Sequence, residues 1–221
     1  MKANNRILHT LVWTSFFAIG FAFVESTVVV YLRALYYPEG FRFPLALMDT
    51  HHFLTEVARE VATVVMLVSV AVLAGTRAWE RFGYFLIAFG VWDIFYYVWL
   101  KVLLDWPATL TDWDVLFLIP LPWVGPVIAP VLISVVMIGG GVMLAWRSSS
   151  NGSFRFGRAC WVLSAAATII AFYSFVADSG ATLKGAMPSG YRYELLAVSI
   201  LCYGAAFVLA GRNPSSPSRI D

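Results

Sequence analysis

The sequence predicts an all-α fold, a polytopic membrane helix bundle of about six transmembrane helices with a short outer-face helix between spans three and four. Three observations predict it. Hydrophobic residues make up 60% of the 221, and mean hydropathy is +0.77. Charged residues make up 13%, about half the share usual in a soluble globular chain. The apolar residues also fall into six continuous blocks, each near the roughly 20 residues that cross a hydrocarbon core. A soluble domain of this length could not keep so much apolar surface dry, whereas lipid accepts it. A barrel would need short alternating segments instead.

The expected spans are 11–32, 53–74, 82–104, 125–146, 159–177 and 193–210. Lys2 and Arg6 precede the first, as in a signal peptide. The run that follows is longer than the roughly 7–15 apolar residues of a signal sequence, so a retained helix is expected. Lys and Arg in the connections orient the chain. One side collects Lys2, Arg6, Arg77, Arg81, Arg147, Arg155, Arg158, Arg212 and Arg219. The other collects Arg33, Arg42, Lys101, Lys184 and Arg192. Nine against five places both termini on the cytoplasmic side of a cell membrane. Residues 1–212 read as a single transmembrane domain. Residues 213–221, rich in Pro and Ser, read as a mobile cytoplasmic tail. The 147–158 connection reads as a Ser/Gly/Asn/Arg loop.

The connection between spans three and four is unusual. Thr111 with Asp114 three residues on resembles a capping box, with Asp in place of the usual Glu or Gln. It predicts a short helix over 112–118, stopped by Pro120 and Pro122. Pro126 and Pro130 suit the first turns of span four, where a missing donor costs least. Glycines 139–141 in span four, and Ala167, Ala171 and Ser174 in span five, favour close helix contact. Tyr36, Tyr37, Phe41 and Phe43 suit an outer interfacial belt.

An ionisable residue inside a span costs at least roughly 2.5–3.5 kcal/mol at its centre, so it needs a partner or a function. Glu25 in span one and Glu60 in span two sit at roughly matching depths, about 10–12 Å below the outer boundary. His52, Glu56 and Glu60 follow one another at intervals of four, with Thr63 below and Arg59 at the flank. Asp93, Tyr97, Lys101 and Asp105 form a second such stripe. The expected buried cluster is therefore Glu25, Glu56, Arg59, Glu60, Asp93, Tyr97 and Lys101. Its four acids exceed Arg59 and Lys101 by two. A dry pocket does not hold surplus anions, so the excess implies bound protons, a bound cation or water. Arg59 tying Glu25 to Glu56 to fix helix register is the structural alternative.

A second group sits higher. Asp49, His51, His52 and Glu56, with Asp112 and Asp114 from the next outer loop, offer imidazole and carboxylate ligands suited to a divalent or transition metal. Adjacent histidines on a helix diverge, and HHxxxE is neither HExxH nor a di-iron ExxH pair. Asp49 or Thr50 reads first as the cap of span two. His9 shares no depth with His51 and His52, which disfavours haem.

Several classes are excluded or disfavoured. A net charge of +2 and the lack of a basic patch with interleaved aromatics exclude nucleic acid. Cys160 and Cys202 form no CxxC and read as small buried residues. No GxSxG, Walker, Rossmann or zincin pattern supports a specific reaction. The readings that remain are transport of protons, a cation or a small solute, an accessory subunit of a larger membrane complex, and a membrane-embedded metal enzyme. Expected partners are the lipid bilayer and either other membrane subunits or further copies of the chain.

Overall fold

Each apolar block folds as a helix, the one open-ended element that satisfies its own backbone without water. The computed structural model describes residues 2–46, 48–150, 157–184, 186 and 188–212. The expected tail at 213–221, and residues 151–156 of the expected 147–158 loop, lie outside the described residues.

The order is α1 (Lys2–Tyr36), α2 (Thr50–Ala74), α3 (Ala78–Leu104), β1 (Trp113–Phe117), β2 (Trp123–Pro126), α4 (Ile128–Ser150), α5 (Arg158–Val176), α6 (Ser179–Leu183) and α7 (Tyr193–Arg212). Six of these helices are long and apolar enough to cross a membrane, by length and composition. Their outer faces carry side chains that water would not favour, among them Leu73 at 86% and Leu201 at 72% exposure. Asp49 caps α2 by accepting the His52 backbone N–H at 3.1 Å. That N–H and the His52 ring hold the Asp49 carboxyl down at about 2.

α3 is the central element and packs along both α1 and α4, while α2 leans on α3. Glycines allow the close α3–α4 crossing. A Cβ on Gly83 would lie 2.7 Å from the Gly141 carbonyl oxygen, and one on Gly90 2.7 Å from that of Ser134. Of the three glycines in α4, Gly141 meets α3, Gly140 meets the Phe207 ring, and Gly139 faces open space. α5 and α7 form a second pair. Ala167 is buried there and its carbonyl accepts the Ser199 hydroxyl at 2.9 Å.

The expected short helix over 112–118 is replaced by a β-hairpin. β1 and β2 pair antiparallel, with Asp114 opposite Gly125 and a bulge between Val115 and Phe117. Two local causes decide this. Asp112, not Thr111, organises the turn: its carboxylate accepts the Ala108 and Thr109 backbone N–H groups. The segment that follows is rich in aromatic and β-branched residues, which suit a pleated strand. Pro120 and Pro122 then fall in the connection between the strands, where no donor is needed. Pro130 sits in the first turn of α4, where a missing donor costs least, whereas Pro126 ends β2 and lies outside the helix.

Candidate functional site

The hairpin folds down into its end of the bundle and closes one side of a cavity of about 270 Å³. α1 supplies Glu25, Val29 and Arg33 at intervals of four, so they share one helix face. α2 supplies Glu56 with Glu60 and Arg59 with Thr63, two pairs each four residues apart. α3 supplies Asp93, Tyr96 and Tyr97, and the hairpin supplies Asp114 and 115–118.

The charges are held in three groups. Arg59 joins Glu25 of α1 to Glu56 of its own helix, the second contact at 2.9 Å. Thr63 donates its hydroxyl to the other Glu25 oxygen at 2.8 Å. Arg33 pairs with Asp114 at 3.2 Å, with both side chains buried. Its guanidinium lies over the rings of Phe41 and Trp106, 4.2 and 3.7 Å from their centroids. One nitrogen of Arg33 and one oxygen of Asp114 have no hydrogen-bond partner among the described residues.

The third group has no cation bonded to it. Both oxygens of Glu60 accept the Leu118 backbone N–H at 2.9 Å. Asp93 accepts the Ser134 hydroxyl of α4 at 2.8 Å. Among the described residues no ion pair ends on either carboxyl. Glu25, Glu56, Glu60, Asp93 and Asp114 thus face one cavity with Arg33 and Arg59, five carboxyls against two guanidiniums.

Six of the seven residues expected in the cluster line this cavity: Glu25, Glu56, Arg59, Glu60, Asp93 and Tyr97. Lys101 does not. It pairs with Asp105 at 2.7 Å on the exposed end of α3. The i+4 stripe is real, but its upper half has left the bundle interior. His52 also departs from its stripe, lying exposed while Glu56 and Glu60 are buried.

The six residues proposed as metal ligands are dispersed. Asp49 pairs with His52 on the exposed rim, where the Tyr36 hydroxyl also meets the His52 ring at 2.9 Å. His51 packs edge-on against that ring. Glu56 is bound to Arg59, Asp112 to its own turn, and Asp114 to Arg33. Among the described residues no three His, Cys, Asp or Glu side chains group to hold an ion. The loop expected to carry Asp112 and Asp114 toward the histidines starts a strand instead, which buries Asp114 and leaves Asp112 at the turn.

Sequence reasoning placed Arg33 in a connection, but α1 continues to Tyr36 and carries it inside. The 25/29/33 spacing was the signal for it. Ser134 and the Leu118 N–H had no comparable signal. At the opposite end Glu80 is buried, bonded to Arg6 at 2.9 Å and to the Thr76 backbone N–H at 2.8 Å. It ties α1 to the start of α3.

The fold and site define a class: a helical protein with six helices long and apolar enough to cross a bilayer, and a charged cavity at one end. No protein-family model, curated protein or solved structure matches the chain.

Proposed function

We propose that the chain spans a cell membrane six times, termini cytoplasmic, and moves protons or a small cation through the carboxylate-lined cavity from the hairpin end. The observation that carries this reading is the imbalance of five carboxyls to two guanidiniums around one cavity. Apolar surroundings do not hold surplus anions without a proton, a cation or water to compensate. A proton or a cation held there would carry positive charge to and from the surroundings. Intramembrane carboxylates of this kind recur on ion and proton pathways.

The structural role of Arg59 is separable. It engages Glu25 and Glu56, whereas Glu60 is bonded to the hairpin backbone. Glu60→Gln keeps an oxygen for the Leu118 N–H and removes only the charge. Wild type and this variant are reconstituted into vesicles, and proton and monovalent-cation flux is followed under an imposed gradient. Flux above protein-free vesicles in wild type, reduced at least about tenfold in Glu60→Gln, is expected, since one lost charge-assisted contact is of that order. Background flux in both, or equal flux in both, contradicts the reading.

A further inference from the structure

A second cavity of about 580 Å³ lies between the α3–α4 pair and the α5–α7 pair. Its size is that of a small-molecule site. Aromatic rings wall it from three helices, Phe85 and Phe89 from α3, Trp161 and Phe172 from α5, and Phe207 from α7. Among the described residues that line it there is no Lys, Arg or His, and Asp93 is its one carboxyl. Asp93, Leu116 and Phe117 line this cavity and the charged one alike, so they form the wall between the two.

We propose that this apolar cavity binds a lipophilic amine taken from the bilayer, its ammonium seated on Asp93 and its apolar body among the aromatic rings. The charge pattern selects the ligand. An anionic lipid head would meet a carboxylate and no cation. A neutral apolar molecule would fill the cavity but leave Asp93 with the Ser134 hydroxyl alone. A protonated amine satisfies the carboxylate by a charge-assisted hydrogen bond. The ring faces around it add attraction for the same cation. Asp93 is the one charged residue that the proposal shares with the transport reading. Amine binding and ion flux are measured apart, so either can fail while the other stands.

The test uses the full chain in lipid nanodiscs. Rhodamine 6G serves as the lipophilic cation and Nile red as an uncharged dye, each followed by fluorescence anisotropy. Wild type is expected to bind rhodamine 6G above empty nanodiscs. Asp93→Asn is expected to weaken that binding about tenfold or more while leaving Nile red within about twofold, because a bond to a charged group is lost and the apolar walls are not. Ala165→Trp, at an exposed α5 position that lines the cavity, is expected to weaken both dyes by filling it. That variant leaves Asp93 and Ser134 untouched, so it tests whether the dye binds in this cavity even where Asp93→Asn does not fold. Rhodamine 6G binding no greater than in empty nanodiscs overturns the proposal. So does unchanged rhodamine 6G affinity in folded Asp93→Asn, or in Ala165→Trp.

Discussion

At Arg33 a positive charge is buried between two aromatic rings and a carboxylate. Such an arrangement stands only as a unit. Removing one member strands the other in a low-dielectric site, which costs more than the pair contributes. Arg33→Met is therefore expected to lower unfolding stability by about 3–5 kcal/mol, and adding Asp114→Asn to recover part of it. Denaturant unfolding in detergent micelles reads both values. A double variant no more stable than the single one would show that Asp114 is not the stranded partner. At this scale the sequence was most legible where charge interrupts apolar runs. Glu25, Glu56, Arg59, Glu60 and Asp93 stand out in that way, and helical spacing brings Tyr97 with Asp93. It was least legible near helix ends. Lys101 shares the Asp93 spacing yet lies beyond the buried layer, and Arg33 looks like a loop residue until α1 is seen to run to Tyr36.

At the scale of elements, the site depends on how closely α3 approaches α4. Gly90 lies one turn before Asp93 and faces the Ser134 carbonyl. A side chain there would push α4 away and draw the Ser134 hydroxyl off Asp93. Gly90→Val is expected to cost about 1–3 kcal/mol by overpacking. Gly139→Val, facing open space, is expected to leave stability within about 1 kcal/mol of wild type or raise it, because valine is a better helix former than glycine. Thermal unfolding of the two in the same detergent checks the order, and equal losses would mean that the crossing is not tight at Gly90. The long helices were legible because continuous apolar length is itself the signal. The hairpin was not. Its pairing joins residues several positions apart, and the Thr111–Asp114 pattern imitates a local helix cap. What makes the segment a strand is the Asp112 turn before it and a partner strand after it.

Across the whole molecule, two cavities of opposite character meet at one wall. The charged one lies under the hairpin, among α1, α2 and α3. The apolar one lies between the helix pairs, with Asp93 reaching both. The residues that line the first stand out in the sequence because charges inside apolar runs are countable. The sequence could not foretell the second, since a space between helices has no residue pattern of its own. The account stands on the charged cavity being open to cations from the hairpin end. Val29 lines that cavity one turn from Glu25 and carries no charge. The decisive measurement is the rate at which Val29→Cys reacts with membrane-impermeant thiosulfonates added at the hairpin end, after Cys160 and Cys202 have been changed to Ala. The preference for the trimethylammonium over the sulfonate reagent should exceed that of a free thiol in solution by at least about tenfold, as a surplus of carboxylates around the cysteine implies. That preference should shrink in Glu60→Gln. A preference no greater than that of a free thiol, or no reaction with either reagent, would contradict the account.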